Sequence, residues 1–472
     1  VTFPNVLVLN YLKQTKQTSP EVQLRAENYI GLGYQRLLTF EVKGGGFSLY
    51  GQAPASIMLS AKGLLEISDM AKVYPVDSAL IDRTRNWLLA QQKSDGTWAA
   101  VTNWDSPPAG YDALPLTAYV AWALLESGAK KDDARLNRAI NYVKENTLRA
   151  TDPYVQALVA NALVAADPNA SITKDALARL DQSRQIQADS VYWSSKVGSF
   201  TGAYGAAGDI ETTAMATYAF LKARTNPESA QKGLTYLIQK KSPNGTWGST
   251  QATILALRAL VESVWATGET TTDATVRVSF NDAQAKPINI NKDNSGVVQI
   301  VTFDDIKPGN NRIAFNVEGK GSFAYQVTAS YYLPWEYVPP TPENEKLVDI
   351  QVAYDRTTLA VNDQVGVKAT IRLTKEGKAR MTIVDLGVPP GFSVASEDLD
   401  AAVKNKTIAK YELTGRQIIL YLEEFDSKKP ITLSYHLMAK FPVRAKSPAS
   451  TTYDYYNPGT SGLQAPTILT VK

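Results

Sequence analysis

The chemistry open to this chain is narrowed first by what it lacks. None of its 472 residues is a cysteine, and His436 is its single histidine. Disulfides, thiolate metal sites and cysteine nucleophiles are excluded, and imidazole chemistry is confined to one position. His436 alternates with Tyr435 and Leu437 in ITLSYHLMA, which puts it on a polar strand face with Ser434. What remains are polar and aromatic groups at turns. The loop AAVTNWDSPPAGYDA, 99–113, carries Asn103, Trp104 and Asp105. Asn103 and Asp105 could orient a nucleophile; the plainer alternative is a polar loop over the mouth of a helical ring. Gln251 follows a Gly-Trp turn and could line a pocket there. Tyr453, Tyr455 and Tyr456 cluster in YDYYNP, where strand alternation puts the first two on one face and Tyr456 on the other. Asp209 and Glu211 in GDIETTAM read as an N-cap and a first-turn acid.

The elements that must hold these groups show in a recurring signal. QQKSDGTW at 91–98 and SPNGTWGSTQATILALRAL at 242–260 both run from a helix end through a tight Gly turn to a Trp, and GGGFSLYG at 44–51 is a weaker copy. A chain that returns to helix, Gly-aromatic turn and helix winds helices round an axis. Trp98 and Trp247 are expected to pack helix ends rather than to touch a substrate. Residues 1–268 read as all-helical: Leu116, Tyr119, Val120, Ala123 and Leu124 recur at helical spacing, as do Ile254, Leu257, Val261 and Val264. Pro20 and Pro153 fit first turns behind the caps Ser19 and Asp152, and Glu21 and Asp82 lie near helix starts. The pattern predicts an α/α toroid, an inner ring of helices inside an outer one.

Near Thr270 the period changes to two. Val276, Val278 and Phe280 alternate with polar neighbours, as do Ile313, Phe315 and Val317, then Phe323, Tyr325 and Val327. The resulting β unit, 269–334, is too small to close a sandwich alone. A Pro-rich linker occupies 335–346. From 347 to 472 alternation resumes, as in Val365, Val367, Ala369, Ile371 and Leu373, and predicts a β-sandwich with one helical insertion at 395–404.

Bulk properties fit a multidomain globular chain, with 44% apolar and 20% charged residues. Net charge is +3, from 49 basic and 46 acidic residues well mixed, so no nucleic-acid footprint appears. No apolar run approaches the roughly 18 residues of a membrane span. The chain opens on Val1 without a signal peptide and reads as a fragment or a matured piece, so its location cannot be read from its start.

Toroid, partial β unit, linker and sandwich, in that order, resemble the C-terminal third of the α2-macroglobulin and complement family. VTFPNVLVLNYL at the start looks like the helix that follows that family's thioester motif, Gly-Cys-x-Glu-Gln. ENYIGLGYQRLLTF at 27–40, LTAYVAWALLE at 116–126 and GSTQATILALRAL at 248–260 are similar to stretches of its thioester domain. MTIVDLGVPPGF at 381–392 and YDYYNP at 453–458 look like its receptor-binding, or last macroglobulin-like, domain. The small β unit then resembles the C-terminal half of a CUB-type domain.

The resemblance implies a broad-spectrum endopeptidase inhibitor, not an enzyme, that traps proteases and captures their lysines through a thioester just upstream of Val1. It implies that Tyr453, Tyr455 and Tyr456 shield that bond from water, and that Asn103, Trp104, Asp105 and Gln251 lie round its pocket. In the complement branch a histidine in the loop matching 99–113 relays the acyl group to hydroxyls; here that loop holds none, so direct attack by amines is expected. Implied partners are proteases and the N-terminal macroglobulin domains of the same protein, with no cofactor, metal or nucleic acid, and a membrane only through an anchor outside this chain. A periplasmic or extracellular setting is implied, and the absence of cysteine suits a bacterial member. The receptor-binding helix of animal members carries paired lysines, whereas SEDLDAA here is acidic, so endocytic receptor binding is not carried over. Two other readings stay open: a thioester-less member acting as an interaction scaffold, and an α/α-toroid enzyme. The last lacks the Cys and His ligands of a prenyltransferase zinc site and any Asp-rich cyclase motif.

Overall fold

The computed structural model describes residues 2–14, 20–243, 245–267, 273–291, 294, 299–321, 325–338, 346–374, 376, 378–379, 381–423 and 425–472. Ser19, Phe323 and much of the Pro-rich linker lie outside them. The chain divides into two compact units. The first comprises Val1–Phe200, Gly208–Trp247 and Gln251–Val327; the second comprises Thr201–Ala207, Gly248–Thr250 and Thr328–Lys472.

The helical half contains α1 (Thr2–Gln14), α2 (Pro20–Leu38), α3 (Ile57–Met70), α4 (Ser78–Ala90), α5 (Leu114–Glu126) and α6 (Ala134–Glu145). It continues with α7 (Pro153–Ala166), α8 (Ser171–Gln182), α9 (Gly205–Ala223), α10 (Pro227–Lys240) and α11 (Thr250–Thr267). Even-numbered helices are one-sided: α6 buries Leu136, Ala139, Ile140 and Val143, one stripe at helical spacing. The odd-numbered helices from α3 to α11 are buried over most of their circumference, and every residue from Leu114 to Leu124 of α5 is buried. A helix buried on all sides must be ringed by others, and a one-sided helix belongs outside. The inner ring is tied by side chains: Asn161 Nδ2 on α7 donates to Met215 O on α9 (3.0 Å), Lys222 on α9 faces Glu262 on α11 (3.8 Å), and Arg258 on α11 pairs with Asp69 on α3 (2.5 Å). The fold is the expected α/α toroid.

Local chemistry sets where the helices begin. Asp77, Asp133 and Asp152 accept hydrogen bonds from the backbone of Ala79, Arg135 and Tyr154, capping α4, α6 and α7, and Pro20 and Pro153 open α2 and α7. One expected helix start is wrong. Asp209 and Glu211 lie inside α9, which begins at Gly205, so neither is a cap or a first-turn acid, and Glu211 is buried.

The three tryptophan turns share one device. Trp98, Trp193 and Trp247 are fully buried and donate Nε1–H to Leu88 O (2.7 Å), Leu180 O (2.6 Å) and Leu237 O (2.6 Å), at the ends of α4, α8 and α10. Each indole thus adds a donor to a carbonyl of the last helical turns, where backbone donors run short; Leu88 O and Leu180 O also accept from Gln91 N and Ser183 N. The turn before Trp98 requires Gly96, at φ +88°, because a Cβ there would stand 2.8 Å from the Arg138 carbonyl.

The small β unit centres on strand Asp273–Phe280, which pairs antiparallel with Ile313–Lys320 on one edge and with Ala283–Gln284 and Ile288–Ile290 on the other. Tyr325 and Val327 are not in a strand. Phe315, Val317, Tyr325 and Val327 are all exposed.

The C-terminal part is a β-sandwich. One sheet orders strands Lys410–Leu413, Gln417–Leu422, Thr382–Gly387, Ser450–Asp454 and Asn457–Gln464; the other orders Phe392–Val394, Ile431–Ala439, Gln364–Leu373 and Val348–Tyr354. Alternation sorts their faces: Val365, Val367, Ala369, Ile371 and Leu373 point into the core. The helical insertion α12 (Ser396–Lys404) sits where the sequence placed it. His436 lies on the outer face with Thr432 and Ser434, its Nδ1 2.9 Å from Asp398 Oδ2.

Candidate functional site

The loop 99–113 is organised by one carboxylate. Asn103–Asp105 forms a short 3-10 turn in which Asp105 is fully buried, Asn103 is exposed and Trp104 packs partly against the toroid core. Asp105 Oδ1 accepts from Ser56 Oγ (2.6 Å) and Met58 N (2.8 Å), Oδ2 from Val101 N (3.0 Å), Thr102 N (2.8 Å) and Thr102 Oγ1 (3.1 Å). Five donors hold the charge in place of water, which satisfies a buried carboxylate and ties the loop to the start of α3. That carboxylate is committed to three backbone N–H groups and two hydroxyls, and of the polar groups in the turn Asn103 is the one presented outward.

The axis of the toroid carries the charges that an apolar helix ring would otherwise exclude. Arg258 on α11 is buried, pairs with Asp69, and lies over three rings: Phe3 (5.8 Å), Trp122 (5.6 Å) and Tyr218 (5.6 Å). Burial alone would raise the Asp69 carboxyl, but Arg258 and then Lys72 outweigh it and hold it below its ordinary value. Lys62, one turn before Glu66 on α3, is pushed down by burial, against the pull of Glu66 and Glu211; burial pushes Glu66 up. Gln251, Arg258, Lys62, Tyr119 and Trp122 wall a cavity of about 10 Å³ that reaches Phe3 in the first turn of α1. Gln251 is buried, so the structure places it on a pocket wall. Sequence reasoning passed over Arg258, Lys62 and Trp122. The signal was present for two of them: a charge standing at i, i+4 or i+7 within an otherwise apolar inner helix has to point at the axis.

The tyrosine motif belongs to the second unit. Tyr453 lies in the strand Ser450–Asp454, opposite Ile383, and burial raises its hydroxyl pKa. Tyr455 and Tyr456 are not on the strand; they form the turn to Asn457–Gln464, with rings 5.0 Å apart and nearly perpendicular. Expected alternation fails here because Asp454 accepts from the backbone of Tyr456 (2.8 Å) and Asn457 (3.0 Å), which bends the chain. Within the same unit Tyr455 OH lies 3.3 Å from Thr250 Oγ1. Asn457 accepts from Tyr204 N (3.0 Å) and donates to Gly202 O (3.1 Å), matching that segment as a strand edge would. Among the described residues no group of three or more His, Asp or Glu side chains could hold a metal, and no helix is long and apolar enough to cross a membrane.

A family model described as the A-macroglobulin TED domain matches residues 1–263, and one described as the A-macroglobulin receptor binding domain matches 377–465. Ovostatin of Gallus gallus is 24% identical over 473 residues, covering 96% of this chain and 31% of the relative. Alpha-2-macroglobulin-like protein 1 of Mus musculus is 23% identical, over 96% and 32%. The chain thus spans about a third of the length of the curated relatives it matches. Among solved structures, native alpha-2-macroglobulin from Escherichia coli, from domain MG7 to the C-terminus, superimposes with TM-score 0.65 at 15% identity, over all of this chain and 72% of that one. Salmonella alpha-2-macroglobulin reacted with methylamine gives 0.67 at 15%, over all of this chain and 30% of that one. These likenesses establish a shared fold, and the match over residues 1–263, more than half of the sequence, establishes the lineage: the chain belongs to the α2-macroglobulin family.

Proposed function

We propose that this chain is the C-terminal part of a broad-spectrum endopeptidase inhibitor that traps proteases and captures amines through a Cys-Gln thioester upstream of Val1. The family is one of protease inhibitors, so proteases are the partner class. The observation that carries the finer reading is the match of 1–263 to the TED-domain model, with the first turn of α1 set against a small cavity that Phe3, Tyr119 and Trp122 help to wall. A thioester survives only where water is kept out, and such a wall supplies that. Tyr455 and Tyr456, turned out of their strand and held by the Asp454–Asn457 bend, are the shielding groups in this reading. Residues 1–268 form the thioester domain, 269–334 half of a CUB-like domain, 335–346 the linker and 347–472 the receptor-binding sandwich. The exposed Phe315 and Val317 support a half-domain, completed by strands elsewhere in the parent protein along with its macroglobulin domains. The setting is periplasmic or extracellular, with any membrane anchor outside this chain. The bacterial neighbours, one of them described as reacted with methylamine, support these readings.

Intact mass spectrometry of the parent protein with and without methylamine tests the proposal. One amine added per chain, with one thiol released, is expected. A protein whose mass and thiol content do not respond is a scaffold without the bond.

A further inference from the structure

Helix α2 carries two glycines in its interior, Gly31 and Gly33, although glycine is a poor helix residue. Neither takes a left-handed backbone, so local conformation does not call for them. Their neighbours differ. A Cβ at Gly31 would stand 2.8 Å from Tyr74 Oη, the far end of a side chain that can swing aside. A Cβ at Gly33 would overlap Oγ1 and Cγ2 of Thr2 and stand 2.6 Å from its Cβ. Rotating the threonine clears the first two atoms but leaves its Cβ in place, fixed to the backbone of α1. Carbon contacts lie at about 3.5–4.0 Å, so a methyl group at 33 must part the two helices by about 1 Å. The first turn of α1 is the part that yields. Helix α2 is held by buried Ala26 and Ile30 and by Tyr34, whose hydroxyl accepts from Asp77 N (3.1 Å). The body of α1 is held by fully buried Val6 and Leu9, and its end by Lys13, which donates to Val73 O (2.8 Å) and pairs with Glu27 (3.2 Å). The first turn is held more weakly: its N–H groups find no carbonyl within the helix, and of residues 2–5 Phe3 is the buried one.

We propose that Gly33 is a positioning residue for the thioester: by admitting Thr2 to close approach it seats the first turn of α1, and with it the acyl group just upstream, out of reach of water. The inference deepens the proposed function and rests on it. Gly33 does not touch the bond; it acts through Thr2 and the turn that Thr2 begins. A bond carried immediately ahead of that turn moves when the turn moves. Lifting the turn by about 1 Å, the displacement set by the missing Cβ, loosens the seat that keeps the bond dry. In the reaction that follows, the oxygen of water bonds to the acyl carbon and the carbon–sulfur bond breaks with its electron pair. The sulfur takes the proton that water gives up, leaving a carboxyl group and a thiol. A glycine that weakens its own helix is thus retained for the closeness it allows at one crossing.

The test measures thiol release by the full-length protein in neutral buffer without protease or amine, well below its thermal midpoint. Gly33→Ala should raise the rate roughly tenfold, within the about hundredfold that a 1 Å misplacement near a reacting group can produce. Gly31→Ala, the same change on the same helix, should leave the rate unchanged. Thr2→Gly opens a gap at the crossing and should also raise it. Gly33→Ala combined with Thr2→Gly puts one methyl group back between the helices and should return the rate most of the way to wild type. Gly33→Ala combined with Thr2→Ala keeps the clashing Cβ and should not. A general loss of stability would not be repaired by a second substitution that itself removes contacts. Should Gly33→Ala fail to fold, recovery of fold and wild-type release by the Thr2→Gly double variant supports the inference equally. Equal release from wild type and folded Gly33→Ala, or a Thr2→Gly double variant no better than Gly33→Ala, overturns the inference alone. If methylamine frees no thiol from the wild-type protein, the thioester reading falls and takes the inference with it.

Discussion

Arg258 and Asp69 are the pair on which the toroid axis turns. Both are 7% exposed in their side chains, and the guanidinium is hemmed by Phe3, Trp122 and Tyr218. Removing one partner of a buried pair strands the other, which costs about 3–5 kcal/mol, more than the pair itself contributes against an apolar substitute. Asp69→Asn and Arg258→Met should each lower the thermal midpoint sharply, and the double variant Asp69→Leu with Arg258→Met should recover much of the loss. The sign of the pH effect follows from Asp69, whose folded pKa is held below its ordinary value. Its contribution is present above the unfolded value of about 3.9 and is lost as pH falls through the folded value. Thermal midpoints measured from pH 7 down to pH 3 should show Asp69→Asn flattening that part of the acid limb; parallel curves for variant and wild type would contradict the assignment. The sequence showed Asn103, Asp105 and Gln251 as polar residues at turns, but not that Asp105 is occupied by three backbone N–H groups and two hydroxyls. Such commitment depends on Ser56 and Met58, far along the chain, and no local pattern encodes it.

At the scale of elements, the Trp clamps make the ring repeat. Trp98 and Trp247 follow their acceptor carbonyls by the same number of residues, through Gly turns of the same form, so sequence comparison found both. Trp193 does the same work at the end of α8 but was missed, because the hairpin Gln185–Gln187 with Ser190–Tyr192 intervenes and replaces the Gly-Thr signal. Trp98→Phe and Trp247→Phe should each cost about 1 kcal/mol, the net worth of the indole hydrogen bond that is lost. Being well separated, their effects on the midpoint should add. A loss in either case no larger than that of a surface substitution would show that the indole contributes only its volume. Periodicity found the odd and even helices and the sandwich strands. It failed at the start of α9, where Gly205 to Gly208 hide the first turn, and at Tyr455, where a carboxylate rather than a hydrophobic pattern decides the backbone.

The whole molecule combines a helical ring whose axis is charged with a small sheet that exposes apolar side chains, and a sandwich closed on its own core. Order and boundaries were legible because the change of period from 3.6 to 2 is a property of the chain itself. In the proposed reading, what the protein does with them depends on a thioester upstream of Val1. With no histidine in the 99–113 loop, the account requires direct capture of lysine amines and hence an amide link to the protease. The most direct measurement incubates the full-length parent with an active endopeptidase, then treats the denatured mixture with hydroxylamine before electrophoresis. The account predicts a covalent adduct that survives hydroxylamine and disappears when methylamine is added first. An adduct cleaved by hydroxylamine, or no adduct with a protease that cuts the parent, would contradict it.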